Sequence, residues 1–124
     1  MATFRYKKHT AGMTLGMLEL PANGAIEAGE LIDATLAPAA AADSAVKFIA
    51  MEDADDGDNV LLMPILNGTV LEGTVDSAGG ISAGDSIGIS DTQELDEDAA
   101  NDLFIAMEDG GAGDKINVLV IAGM

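Results

Sequence analysis

Apolar residues along the chain cluster in short runs separated by polar, glycine-rich stretches. The two longest runs, VLLMPIL (60–66) and INVLVIA (116–122), follow turn signals and have the length of buried strands. The tetrapeptide FIAM (48–51, again at 104–107) predicts another pair of strands. Two weaker strands interrupted by Gly are predicted at 14–20 and 69–75.

Four turn signals of one form precede strands. AGELI (28–32), DGDNV (56–60), AGDSI (83–87) and AGDKI (112–116) each place Gly before an acidic residue and end on an aliphatic residue. Gly adopts positive φ without steric cost, and the acid that follows can accept hydrogen bonds from nearby amides. We therefore predict a turn at each Gly and a strand beginning near each aliphatic residue.

The hexapeptide FIAMED occurs twice, at 48–53 and 104–109. When the sequence is shifted by 56 residues, the match extends to 48–65 over 104–121 and keeps both the glycine–acid turn and the apolar positions. Upstream, with a shift of 55, GAIEAGELI lies over GGISAGDSI, so the second copy has one extra residue between the matched blocks. We therefore infer two copies of a module of about 55 residues, at 14–67 and 69–123.

The predicted fold is mainly β, a small β-barrel or sandwich built from these two internally repeated modules. Residues 14–124 form one domain behind an N-terminal arm, 1–13. The linkers 34–47 and 91–103 are predicted to be short helices or loops. Pro64 lacks an amide hydrogen, so its strand is predicted to be an edge strand or to be bulged there.

Aromatic residues are scarce, and two of them are the repeated Phe. We predict that Phe48 and Phe104 anchor equivalent core positions, with Met51 and Met107 filling gaps beside them. The run INVLVI (116–121) offers apolar residues to both faces of a strand, although one small barrel has only one inside. Part of its second face is therefore expected to be buried between subunits, in a homotrimer.

Acidic residues dominate the charge: 22 Asp and Glu face five Lys and Arg, a formal net charge of −17. Such a surface repels phosphate, so we expect neither nucleic acid nor an anionic membrane as a partner. The longest apolar run is far too short for a transmembrane helix. The N-terminus lacks the apolar stretch of a secretory signal, which predicts synthesis in the cytoplasm without a signal peptide.

Positive charge is concentrated at the N-terminus. Residues 1–13 contain no acid, whereas residues 14–124 carry two lysines and all 22 acids, a net charge of −20. Aromatic and basic residues alternate in the arm with a period of two, which suits an added strand. The arm is either a disordered tail attracted to its own acidic body, or a segment that pairs with a neighbouring subunit or a host surface. In the second interpretation the contact residues are Phe4, Arg5, Tyr6, Lys7 and Lys8.

Catalytic and metal-binding patterns are weak. The stretch 51–60 is similar to a calcium loop, but with Gly57 as the turn glycine, the third and twelfth ligand positions fall on Ala54 and Met63. Solvated acidic turns are the favoured interpretation, with an acidic cation-binding module as an alternative. There is no Cys, the single histidine is His9 in the arm, and no nucleophile or cofactor motif occurs, so we expect no enzymatic activity.

A carrier domain of biotinyl or lipoyl type is a second alternative. These domains are small quasi-twofold β-barrels with a modified lysine on a hairpin tip, and Lys115 lies near a predicted turn. The biotinyl pattern needs a lysine between two methionines, however, and acids follow Met107 instead.

The module pattern G-x-I-x-A-G-[ED], F-I-A-M-E-D, G-D-x-[VI] resembles small capsid decoration (cement or head-stabilising) proteins of tailed bacteriophages. Residues 28–30, 48–53 and 57–58 carry the resemblance with their second-copy counterparts, over most of 14–123. It implies a β-rich fold, trimers, and binding to the major capsid protein at symmetry axes on the outer capsid surface, often through an N-terminal segment. Family members commonly carry one copy of such a module, and the duplication departs from that.

Overall fold

The computed structural model describes residues 3–9, 16–76 and 80–122, which form ten strands and no helix. The strands are β1 Arg5–His9, β2 Leu18–Pro21, β3 Leu31–Ile32, β4 Phe48–Ala50, β5 Asn59–Pro64, β6 Thr69–Thr74, β7 Ser86–Ile89, β8 Leu95–Asp96, β9 Phe104–Ala106 and β10 Lys115–Val120.

Two antiparallel sheets make up the sandwich. The larger has six strands in the order β1-β6-β10-β9-β7-β8, and the smaller has four in the order β2-β5-β4-β3. The prediction of a mainly β fold is confirmed. Both linkers consist of turns, bends and short extended pieces, with β8 inside the second.

Matched segments of the sequence pair in the same way in the two sheets. The order β2-β5-β4-β3 corresponds to β6-β10-β9-β7, strand for strand. Phe48 lies opposite Pro64 in the first sheet, and Phe104 lies opposite Val120 in the second, each 56 residues further on. Superposition of the two complete modules stays a prediction.

The first strands of the two matched sets, β2 and β6, correspond with a different offset from the one that the sequence indicated. Leu18 lies opposite Leu62, and the corresponding pair in the second sheet is Leu71 opposite Val118. The equivalent positions are thus 53 residues apart rather than 55. Both offsets are odd, so they place the same residues on the same face, and alternation alone could not distinguish them.

The four predicted turn glycines all adopt positive φ: Gly29 at 89°, Gly57 at 85°, Gly84 at 93° and Gly113 at 83°. Each is followed within three residues by a strand. A side chain at these positions would be strained, which explains why the glycine–acid signal recurs four times.

Pro64 does not lie in an edge strand, since β5 pairs with both β2 and β4. It is the last residue of β5, and the β2 ladder ends two residues earlier, at the pair Leu18–Leu62. Its missing amide hydrogen therefore removes no bond to β2. The prediction of an edge strand or a bulge was wrong, since β5 is an inner strand and its register with β4 is regular up to the pair Phe48–Pro64. Sequence shows a strand's composition but not the length of its neighbour.

Two core clusters divide the apolar residues. The smaller covers one face of the four-stranded sheet and contains Ala22, Ile26, Ile32, Phe48, Ala50, Val60 and Leu62. The larger lies on the other face of that sheet, where Leu31, Ile49, Met63 and Ile65 join the buried residues of the six-stranded sheet, including Phe104. Strands β3, β4 and most of β5 are therefore buried on both faces, whereas β2 is largely exposed.

The repeated hexapeptide is core only in part. Phe48 is 7% exposed and Phe104 0%, whereas Met51 is 37% exposed and Met107 50%. The prediction that Met51 and Met107 fill core gaps was wrong. Each strand ends at the buried alanine before the methionine, so the methionine opens a turn at the surface.

We expect Phe104→Ala to lower the free energy of unfolding by about 3–5 kcal/mol, because the ring lies in the larger core. Phe48→Ala, the matched substitution in the smaller cluster, should cost less. Urea denaturation of both variants measures the difference. Equal losses would contradict the assignment of the two rings to cores of different size.

Candidate functional site

The N-terminal segment belongs to the β body. Strand β1 pairs antiparallel with β6, with Tyr6 opposite Leu71. Phe4, just before the strand, is buried, and its ring centroid lies 5.7 Å from that of Phe104 with the ring planes tilted by 37°. The alternating pattern did indicate a strand. Over the described residues 3–9 the segment is therefore not a free arm, because the strand pairs within the chain's own sheet and Phe4 lies in the core. Residues 1–2 and 10–13 of the predicted arm lie outside the described residues.

Gly73 makes room for this packing. A Cβ atom at Gly73 would lie 2.7 Å from Cε1 of Phe4 and 3.0 Å from Cγ of Leu95. Gly73 lies opposite Ile116, and the corresponding residue in the first sheet is Leu20, opposite Val60. Leu20 packs against the smaller core. Phe4 thus occupies, in the second half, the place that a strand side chain occupies in the first.

Three cations lie on this edge strand, whose register with β6 shifts between Tyr6 and Lys8. Arg5 Nη1 and Lys7 Nζ lie 3.6 Å and 3.4 Å from the carboxylate oxygens of Glu72, and Lys8 is exposed. The Arg5 side chain is 69% exposed, so its ion pair contributes little to stability. We call Arg5–His9 with these side chains the basic strand. The other two lysines, Lys47 and Lys115, lie in separate parts of the fold.

A groove of about 360 Å³ runs beside the basic strand. Its lining comes from the N-terminal segment and from the first half of the chain: Phe4, Arg5, Tyr6, Ala28, Gly29, Ile49, Ala50 and Met51. The exposed Met51 therefore lies next to the basic strand, at the junction of the two sheets.

The five predicted contact residues are thus brought together but are not equally accessible. Arg5, Lys7 and Lys8 are exposed, and Tyr6 is half-buried against the larger core. Phe4 is in the core, so its prediction as a capsid contact was wrong. A side chain that packs on Phe104 cannot reach a partner while β1 stays paired.

The acids of FIAMED cap backbone amides. Glu52 Oε1 accepts a hydrogen bond from Leu61 N at 3.1 Å, and Glu108 Oε2 accepts one from Asn117 N at 2.9 Å. Each bond joins the start of a turn to the strand that follows it. The charged oxygens therefore satisfy strand amides at the same place in both halves.

The aspartates of the hexapeptide make a second matched pair of caps. Asp53 accepts from Ala28 N and Asp109 accepts from Ala83 N, each at 2.8 Å. These bonds tie each FIAMED turn to the glycine turn of the same half. All six residues of the hexapeptide therefore have a defined position in the fold. Its acids, which the sequence offered as candidates for cation binding, accept hydrogen bonds from the backbone.

Gln93 joins the two halves and was missed by sequence analysis. Its Oε1 accepts from Leu31 N at 2.8 Å, and its Nε2 donates to the carbonyls of Leu31 and Ala39, both at 2.9 Å. Gln93 is buried and adopts φ 58°. Leu36, in the matching turn, adopts φ 67°. A buried glutamine in a polar linker has no recognisable signal in one sequence.

The described residues assemble no site for either alternative function, cation binding or a carrier lysine. Across residues 3–9, 16–76 and 80–122, no group of three or more His, Asp or Glu side chains is placed to hold a metal ion. Lys115 lies in the β6–β10 ladder, opposite Thr74, rather than on a hairpin tip.

The comparisons with known proteins add no identification. No family model matches the chain, and a search of curated proteins finds no match either. Within the described residues, no helix is long and apolar enough to cross a membrane.

Gly73→Ala should loosen the basic strand, because the new methyl group collides with Phe4 and Leu95. Overpacking of this kind costs about 1–3 kcal/mol. We expect trypsin to cleave after Arg5, Lys7 or Lys8 faster than in the parent protein, as followed by mass spectrometry. Gly80→Ala is the control, since its Cβ meets nothing within 4 Å. Equal cleavage rates in the two variants would contradict the packing of Phe4 over Gly73.

Asp53→Ala and Asp109→Ala should each lower the free energy of unfolding by about 1 kcal/mol, because each leaves a turn amide without its charged acceptor. Glu97→Ala, at an exposed acid in the second linker, removes the same charge and serves as the control. Thermal or urea unfolding measures the three variants. If all three behave alike, the effect is one of net charge and the capping role is wrong.

Proposed function

We propose that the protein is a capsid decoration protein, which binds the outer surface of a phage head and stabilises it. The basic strand carries the proposal: three of the five Lys and Arg residues lie together on one edge of an otherwise acidic β sandwich. The resemblance of the FIAMED and glycine–acid pattern to that family supports it. The proposed partner is the major capsid protein, and the proposed activity is structural rather than enzymatic.

The basic strand would contact acidic side chains of the capsid protein. Arg5, Lys7 and Lys8 supply positive charge, and the body behind them, with a net charge of −20, faces solvent. A flexible arm would lose about 1–2 kcal/mol of backbone entropy for every residue ordered on binding. A strand already held by β6 and Phe4 avoids most of that cost.

The proposed assembly is a homotrimer on the capsid. Three basic strands would then engage three sites at once, and the second and third contacts would form at high effective concentration. Individually weak surface ion pairs can give stable attachment in this way. The protein would be made in the host cytoplasm and reach the virion surface after the head has formed.

Co-sedimentation with undecorated capsids tests the capsid contact. Arg5→Gln with Lys8→Gln should reduce the bound fraction by at least tenfold at physiological salt, because it removes two of three clustered charges. Lys47→Gln with Lys115→Gln changes the net charge equally at positions away from the basic strand and should bind like the parent protein. Far-UV circular dichroism confirms that both variants are folded.

Equal binding of the two double variants would exclude the basic strand as the anchor. Failure of the parent protein to co-sediment with capsids, under conditions where it is folded, would overturn decoration itself.

A further inference from the structure

Strand β2 has an open edge. It is the first strand in the order β2-β5-β4-β3 and pairs with β5 alone. Among the residues that the structure describes, no strand lies along its other side. Its counterpart in the second half, β6, is an inner strand between β10 and β1. The basic strand thus covers, in the second half, an edge that stays uncovered in the first.

Glu19 in β2 occupies the position that Glu72 has in β6. Glu72 lies opposite Asn117 on one side and opposite Arg5 on the other, and its carboxylate lies 3.6 Å from the Arg5 guanidinium. Glu19 lies opposite Leu61, which matches Asn117 at the shift of 56, and it is exposed. The edge of β2 therefore keeps an acid at the place where β6 pairs with the basic strand.

Leu18 is an apolar residue that lacks a cover on this edge. It matches Leu71, which is 0% exposed and lies opposite Tyr6 of the basic strand. Leu18 is 46% exposed. Side chains directly opposite each other in neighbouring strands are in contact, so an apolar residue opposite Leu18 would cover it as Tyr6 covers Leu71.

Leu20 adds a steric requirement. Its counterpart Gly73 leaves the space that Phe4 fills, since a Cβ atom at Gly73 would lie 2.7 Å from Cε1 of Phe4. Leu20 has its own side chain there, packed against the smaller core. A strand on the β2 edge therefore has no room for a large residue at the position that corresponds to Phe4.

We infer that the open edge of β2 binds an extended segment of a partner protein as an added antiparallel strand, with a basic residue opposite Glu19, an apolar residue opposite Leu18 and a small residue opposite Leu20. Main-chain hydrogen bonds along an open edge give such an addition its affinity, and alternate side chains give its specificity. The assignment of this segment to the major capsid protein rests on the function proposed above, whereas the edge site itself does not.

A second copy of this chain is a poorer occupant. Its basic strand is already paired with β6 and is anchored by Phe4, which is 3% exposed. That strand also brings the large residue that Leu20 excludes. Pairing of two β2 edges would bring acid to acid at Glu19, and like charges across a strand pair are destabilising. A basic segment is attracted instead, since residues 14–124 have a net charge of −20.

Peptide binding to the full-length chain tests the edge site. The probe is a fluorescently labelled synthetic peptide of residues 3–9 carrying Phe4→Ala, which keeps the alternating basic and aromatic residues. Fluorescence anisotropy should show saturable binding to the parent protein. Glu19→Lys should weaken binding about tenfold or more, because an attractive cross-strand pair becomes a repulsive one. Glu97→Lys, which changes the net charge equally at an exposed acid of the second linker, should bind like the parent protein.

The unaltered peptide of residues 3–9 tests the steric requirement. It should bind the parent protein more weakly than the Phe4→Ala peptide does, because its ring meets Leu20. Leu20→Ala should reduce that difference, and circular dichroism confirms that the variants are folded. If the two peptides bind the parent protein equally, the proposed register on β2 is wrong.

Nuclear magnetic resonance spectra of the 12.6 kDa chain locate the bound peptide. The amide resonances of Leu18 and Glu19 should shift on titration. Shifts confined to β6 would show that the peptide replaces the chain's own basic strand, which would overturn the edge site.

Absence of saturable binding, or equal binding by Glu19→Lys and Glu97→Lys, would also overturn it. If Glu19→Lys changes the mass of the protein in light scattering, the occupant is a second copy and the inference of a partner protein is wrong. These measurements contain no capsid, so their failure is independent of the decoration proposed above. Peptide binding by a protein that does not co-sediment with capsids would keep the edge site and overturn only its assignment to the capsid protein.

Discussion

The burial of the four-stranded sheet on both faces along β3, β4 and β5 is the constraint on which the rest of this molecule depends. A sheet of four short strands exposes two apolar faces, and its own turns cover only the one beneath Phe48. The other, with Ile49 and Met63, needs a second layer, which the second half of the chain supplies. Gln93 completes the contact by satisfying the backbone of the edge strand β3, where an unpaired amide would otherwise be buried.

This dependence makes the two halves unequal despite their matched sequences. The second half of the chain covers the sheet face of the first half that carries Ile49 and Met63. Phe4 and Gly73 show a similar difference between the halves. Phe4, just before the N-terminal edge strand, packs over Gly73 in the core of the second half, where the first half uses Leu20. Matched sequence therefore does not produce two identical environments, because each half meets a different neighbour.

The acidic character of the chain has a structural explanation as well as an electrostatic one. The carboxylates of FIAMED accept hydrogen bonds from two turn amides, at Ala28 and Ala83, and from two strand amides, at Leu61 and Asn117. Their repetition follows from those bonds, since an alanine at Asp53 or Asp109 would remove the charged acceptor of a turn amide. The acids around them keep the surface hydrated, and the basic strand gives the molecule one edge of opposite charge.

The sequence by itself determined the β class, the position of most strands, the four glycine turns and the burial of Phe48 and Phe104, because these depend on local alternation, turn chemistry and side-chain size. It indicated the strand at Arg5–His9 but not its partner, since a period of two shows that a segment is extended and not which sheet it joins. Only the tertiary structure placed Phe4 in the core, brought Gln93 to β3 and put Met51 and Met107 at the surface. Those outcomes depend on which distant segments pack together, and a pattern of apolar and polar residues along one chain contains no record of that choice.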